Sequence, residues 1–245
     1  MEHIVMFSGG AGSFVAARRV SEMFTAERIV LLTADTRSEH DSWYTFVRRA
    51  SADLEQELVV VSDGRDVWEL ARDEHAIPND RMPFCSRELK YRPIHDYLNA
   101  NHSPENSVLY FGIDWTEERR ITGICKRNLP WTCDFPLLWE PLVDKQECIE
   151  AVAQYELPAY LHGLPHNNCL KYGCVRGGKA YWAKLLREMP ETFNRTVLAE
   201  QNFRNEVSPH TLLHDETLSQ LRIRVTSETL SSEDNNDWGA CGCLE

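Results

Sequence analysis

Three features of the 245-residue sequence predict an α/β fold: a doubly wound, Rossmann-like and mainly parallel sheet with helices on both faces, plus a cysteine-rich helical and loop region at the C-terminal end. Short β-branched apolar runs alternate with segments of helical periodicity. A glycine-rich turn follows the first run. Pro, Gly, His, Asn and Cys then crowd together between Leu157 and Gly178.

The elements follow in order. "HIVMF" (3–7) predicts a buried strand and "SFVAARRVSEMF" (13–24) an amphipathic helix. "RIVLLTAD" (28–35) and "QELVVVSDG" (56–64) predict two more strands, separated by the helix "HDSWYTFVRRASADL". "SRELKYRPIHDYLNA" (86–100) predicts a helix bent or interrupted near Pro93, because proline lacks the N–H and crowds the carbonyl four residues back. "SVLYFGID" (107–114) predicts the fourth strand, and "KQECIEAVAQY" and "KAYWAKLLREM" two further helices, with helical pattern resuming after Pro190. The polar, acidic end from Thr226, closing on Cys241 and Cys243, predicts a flexible tail. The expected division is an α/β domain over 1–195 and a C-terminal extension over 196–245.

The formal net charge of −12 excludes a surface that grips nucleic-acid backbone everywhere, so a nucleic-acid partner needs a local basic patch. No run of about twenty apolar residues and no signal-peptide layout is present, which predicts a cytoplasmic chain with no membrane partner. In a reducing compartment the eight cysteines read as metal ligands, redox groups or small buried hydrophobes rather than a disulfide framework.

Ser8-Gly9-Gly10-Ala11-Gly12-Ser13 joins the first strand to the first helix. Unpaired backbone N–H groups at such a turn, with the helix dipole behind them, make an anion site. Gly9 and Gly10 let the backbone approach phosphate oxygens, and Ser8 and Ser13 offer hydroxyls. The same residues also suit a strand-to-helix turn with no ligand. Cys169 and Cys174, with four residues including a glycine between them, suit two thiolates on one metal; Cys85 and the Cys241-Gly-Cys243 end bring the supply to five. Cys148 reads as a buried hydrophobe, and Cys125 and Cys133 show no thiol partner in the sequence. His162 and His166 read as ordinary loop histidines, and Trp131, Trp139 and Trp182 as core or interface aromatics.

The glycine loop resembles the pyrophosphate loop, serine-glycine-glycine-x-aspartate-serine, of the adenine nucleotide alpha-hydrolase-like (PP-loop) superfamily. Gly12 stands where many members carry aspartate. Over roughly residues 3–195 the closer resemblance is to phosphoadenylyl-sulfate (PAPS) reductase-like proteins, phage-encoded ones included, and to the sulfur-activating protein of DNA phosphorothioation systems. "LLTADT", "CSRELKYRPIHDYL", "GIDWTEERRI", "PLLWEPL" and "ELPAYLHGLPHNNC" carry it by their order.

The resemblance implies a nucleotide site of Ser8, Gly9, Gly10, Ala11, Gly12, Ser13, Asp35, Lys90, Glu118 and Arg119. It tips the thiols toward a 4Fe-4S cluster on Cys85, Cys169, Cys174 and Cys241 or Cys243, with zinc as the alternative. The remaining tail cysteine, Cys243 or Cys241, is the reactive thiol. ATP with Mg²⁺, or an adenylyl sulfate, is the expected nucleotide. One expected reaction is ATP-dependent, pyrophosphate-releasing sulfur transfer to a nucleic acid (tRNA or DNA) or a nucleotide. Its sulfur donor would be a partner such as a cysteine desulfurase. The alternatives are thiol-dependent reduction of adenylyl sulfate to sulfite, drawing on a thiol reductant, and a non-catalytic nucleotide- or zinc-binding module. A homodimer is compatible with each.

Overall fold

The computed structural model describes residues 1–79, 81–155 and 169–239. Strand β1 (Glu2–Met6) leads into helix α1 (Ala11–Met23), followed by β2 (Ile29–Ala34), α2 (Asp41–Asp53), β3 (Glu57–Val61) and α3 (Val67–Asp73). A single turn, α4 (Phe84–Ser86), passes through a π-helical segment (Arg87–Tyr91) into α5 (Arg92–Asn101), then β4 (Ser107–Tyr110). A 3-10 turn (Trp115–Arg120), α6 (Ile121–Arg127), β5 (Thr132–Asp134) and α7 (Lys145–Ala151) complete the sheet region. The remaining helices are α8 (Lys179–Glu188), α9 (Pro190–Glu206), α10 (Leu218–Thr226) and α11 (Ser232–Asn236).

The five strands are all parallel in the order β3-β2-β1-β4-β5, with Val5 opposite Leu31 on one side and Tyr110 on the other. This is the doubly wound sheet the alternating pattern predicts. Central β1 is buried on both faces, so its alternate side chains enter different cores. Val5 and Phe7 pack with α1, α2 and α7 through Phe14, Val15, Phe46 and Cys148. Ile4 packs with α5 and α6 through Ile94, Leu98 and Ile124. Beyond the sequence expectation, β5 and α3 each have a plain reason. Three-residue β5 is too short to show alternation. Helix α3 turns its apolar side away from the sheet and into a third core, where Trp68 and Leu70 meet Trp182, Phe193, Phe203 and Leu221 of the C-terminal helices.

The interruption expected near Pro93 is present, displaced to the preceding turn. Arg92 N–H donates to the Arg87 carbonyl, one residue further back than in an α-helix. Widening the turn relieves the crowding between the proline ring and the carbonyl of Leu89. The expected domain boundary at residue 195 falls inside α9.

The polar end departs from expectation. The stretch from Thr226 to Gly239 is ordered: α11 forms, Asp234 is buried, and Gly239 pairs with Gly177 in an antiparallel bridge. Composition suggested a free tail because, apart from Leu230 and Trp238, the residues there are polar or small. The compensating charges lie far off in sequence, on Lys179 and Arg224. Among the described residues, no helix is long and apolar enough to cross a membrane.

Candidate functional site

In a doubly wound sheet, ligands bind where neighbouring strands send their connections to opposite faces, beyond the strands' C-terminal ends. Here that point lies between β1 and β4, and Ser8–Ser13 sits on it. Gly9 has φ +75°, a left-handed conformation that glycine adopts freely. A Cβ on Gly9 would meet Trp43 Nε1 at 2.2 Å. That indole N–H donates to the Ser8 carbonyl at 2.9 Å, so Trp43 clamps the loop from α2. The Ser13 hydroxyl donates to the Gly10 carbonyl at 2.8 Å and accepts from Gly10 N–H at 3.2 Å. Its proton therefore shapes the loop. Ser8 Oγ points the same way, donating to Ser13 Oγ at 3.3 Å. The first-turn N–H groups of α1 lack intrahelical acceptors, as at any helix start.

The glycine at position 12 has a local reason. The loop after β4 passes so close that a Cβ on Gly112 would lie 2.5 Å from Gly12 C and O, and one on Gly12 would lie 3.0 Å from the Gly112 carbonyl. Two backbones touch there. An aspartate at position 12 would push that crossing apart by a few tenths of an ångström.

Beside the loop a narrow cleft runs between the sheet and α5. Met6, Leu32, Ile94 and Phe111 give it apolar walls; Ser8, Lys90, His95 and Asn128 give it polar points. Lys90 and Tyr91 reach it from the π-helical segment, so the proline-induced turn positions the cation the sequence singled out. Burial lowers the His95 pKa, against an opposing hydrogen bond with Asn128, which keeps the imidazole neutral near pH 7. Buried Thr33 also borders the cleft, and its Oγ1 has no hydrogen-bond partner among the described residues. Flat apolar walls with a few polar points suit a nucleobase, and the glycine loop at the mouth suits its phosphates.

Other expected nucleotide residues lie elsewhere. Asp35 Oδ1 accepts from Tyr44 OH at 2.9 Å and from Arg37 N–H at 2.7 Å, shaping the turn after β2. Glu118 and Arg119 are exposed on the 3-10 turn and do not line the cleft. Sequence reasoning missed Trp43, His95 and Asn128, which carry no local motif. Gly112 was visible only inside the resembled "GIDWTEERRI" segment.

Cys85 on α4 packs against the third core, which contains nearly buried Cys174, and half-buried Cys169 opens the same described segment. None of the three is in a disulfide. Among the described residues no three His, Cys, Asp or Glu side chains are grouped for a metal ion. Cys241, Cys243, His162 and His166 lie outside the described residues. One expectation is corrected: Cys133 does have a thiol neighbour, Cys125, brought across from α6 to β5. Burial first, and then Cys125, pushes the Cys133 thiol up to about 12. Burial likewise pushes Cys148 up to about 11, so both are protonated at neutral pH.

No protein-family model matches the sequence, and no curated protein matches it. Solved structures similar to it include two enzymes. One is the phosphoadenylyl-sulfate (PAPS) reductase from Candida auris in complex with phosphate, at 13% identity and a TM-score of 0.42, covering 64% of this chain and 73% of that one. The other is the U34-tRNA thiolase NcsA from Methanococcus maripaludis with its 4Fe-4S cluster, at 13% identity and a TM-score of 0.46, covering 89% of this chain and 74% of that one. These are similarities in the course of the chain, and the functional reading rests on the residues above.

Proposed function

We propose that this chain is an adenine-nucleotide-binding enzyme of sulfur metabolism that activates an acceptor with ATP for sulfur transfer. One observation carries the reading: the clamped glycine loop opens at the sheet's switch point onto an apolar cleft with Lys90 at its side. An acceptor oxygen, from a nucleic acid or a nucleotide, attacks the α-phosphorus, and the bond to pyrophosphate breaks. Sulfur then displaces AMP from the adenylylated acceptor. The loop N–H groups and Lys90 stabilise charge on the departing pyrophosphate, where fixed dipoles in a partly dry cleft act most strongly. Mg²⁺ accompanies the triphosphate and shares that charge.

The thiols suit an iron–sulfur cluster by their chemistry. Cys85, Cys169 and Cys174 are free of disulfides, and the Gly177–Gly239 bridge brings the chain to within two residues of Cys241 on the Cys174 side. Cys85, Cys169, Cys174 and Cys241 are the thiols the resemblance offers to a cluster or to zinc, but the three described ones are not gathered within reach of one metal ion, so no step of the proposed reaction runs through such a group.

A second reading is favoured by that same route of the C-terminal segment. A tail thiolate attacks the sulfur of an adenylyl sulfate, the S–O bond to the nucleotide breaks, and a second thiol releases sulfite as a disulfide forms. Anaerobic incubation separates the two. ATP turnover to AMP and pyrophosphate that rises with added tRNA or DNA supports the first. Sulfite from adenylyl sulfate without ATP turnover replaces it with the second, and nucleotide binding with neither product leaves a non-catalytic module.

A further inference from the structure

Two of the cleft's polar side chains, His95 on α5 and Asn128 at the end of α6, are hydrogen-bonded to each other. Asn128 is buried, and its Nδ2 donates to the Ile124 carbonyl at 2.8 Å. A carbonyl offers only lone pairs, so the amide NH₂ has to face Ile124, and Oδ1 is the end left for a donor. The bond with His95 favours the protonated ring, which makes the imidazole that donor. Burial keeps the ring neutral near pH 7, and a neutral imidazole has a single N–H. With that N–H committed to Asn128, the second ring nitrogen carries a lone pair. Tyr91 stacks along the imidazole at 6.2 Å and 20°, and Arg127 lies over Tyr91 at 5.6 Å, so the ring plane is held as well.

We infer that His95 selects the base of the bound nucleotide by accepting a hydrogen bond from the exocyclic amine of a 6-aminopurine, with Asn128 as its positioning residue. The inference rests on the nucleotide reading of the cleft and adds the edge of the base that is read. Met6, Leu32, Ile94 and Phe111 can cover the faces of any purine and so cannot tell one from another. A fixed lone pair can. A 6-amino group points an N–H at it, whereas the 6-oxo group of guanine or hypoxanthine points a second lone pair at it. The wrong base loses a hydrogen bond and leaves two acceptors facing each other.

Titration calorimetry of the intact chain near pH 7 with Mg²⁺ compares ATP with inosine triphosphate (ITP), which carries an oxygen in place of the 6-amino group and a proton on N1. The wild type is expected to bind ATP about tenfold or more tighter than ITP. His95→Leu should weaken ATP until the two lie within about threefold. Asn128→Asp sets a carboxylate beside the ring, holds it protonated and turns its second nitrogen into a donor, so the ratio should move about tenfold or more toward ITP. Both nucleotides carry the same triphosphate, so a general loosening of the site leaves the ratio unmoved. Hydrogen exchange in β1 shows that each variant is folded. A wild type that binds ATP and ITP alike, or a folded His95→Leu at the wild-type ratio, overturns the inference and leaves the nucleotide reading standing. Folded Asn128→Asp at the wild-type ratio overturns the part given to Asn128. A wild type that binds neither nucleotide overturns the inference and the nucleotide reading together.

Discussion

At the glycine loop, backbone meets backbone: Gly12 lies on Gly112, and Gly9 lies under Trp43 with no space for a methyl group. At the Cys174 turn glycines also touch, but charged groups from three distant stretches hold the contact closed. The first region depends on sterics and neutral hydrogen bonds. The second adds ionised side chains far apart in sequence, so it should respond to pH and salt where the first does not. A phosphate-binding loop needs its N–H groups fixed before the ligand arrives. The thiol turn instead has to gather groups from separate parts of the chain.

The largest expected break in this contrast is Gly9→Val. It forces a β-branched residue into a left-handed conformation and against Trp43, costing about 3 kcal/mol or more. Calorimetry should show loss of ATP binding. Next is Lys179→Met, which leaves Asp215, Glu216 and Asp234 facing one another with only Arg224 to balance them. We expect a loss of about 2–3 kcal/mol in chemical denaturation, and ATP affinity within twofold of wild type.

Asp234 gives this half its pH response. The net effect of its contacts to Lys179, Ser231 and Arg224 holds its pKa well below the ordinary carboxylate range, against desolvation. A depressed acid stabilises the fold above its unfolded pKa and loses that contribution as pH falls toward its folded value. Protection factors for hydrogen exchange in Ser231–Gly239 should therefore fall below about pH 4 before those in β1 do.

A smaller effect is expected at buried Glu200, whose two oxygens accept from Leu212 N–H at 2.8 Å and Leu218 N–H at 2.9 Å. Glu200→Gln turns one N–H toward an amide NH₂ and should cost about 1–2 kcal/mol in the same denaturation assay. Burial raises the Glu200 pKa, so the native charge becomes more costly as pH rises. The glutamine variant should thus lose less relative to wild type at pH 8 than at pH 5. Ser13→Ala removes the hydrogen bonds that close the glycine loop and should cost about 1 kcal/mol, with a several-fold weaker grip on ATP.

The contrast also explains what the sequence disclosed. Runs such as "HIVMF" and "RIVLLTAD" are short and β-branched because parallel strands are covered on both faces, so the parallel sheet was legible from pattern alone while its strand order was not. Gly9 and Gly10 were legible because only glycine suits a bare backbone turn, and Pro93 announced a break without disclosing its π-helical form. Trp43, His95 and Asn128 were illegible, since each reaches its site through tertiary packing. The stretch 226–239 was misread for the same reason: Asp234 looks solvated beside Glu233 and Asn235, and its partners Lys179 and Arg224 come from two other helices. The Cys125–Cys133 proximity depends on a turn between α6 and β5 that no thiol spacing encodes.

The most direct measurement of the central claim is anaerobic titration calorimetry of ATP into wild-type protein and into Gly9→Ala, a milder change that keeps the positive-φ and Trp43 conflict. One saturable ATP site per chain, weakened at least a hundredfold in Gly9→Ala while the sheet stays folded, is the predicted result. Absence of ATP binding to the wild type, or equal affinity in the two proteins, would contradict it.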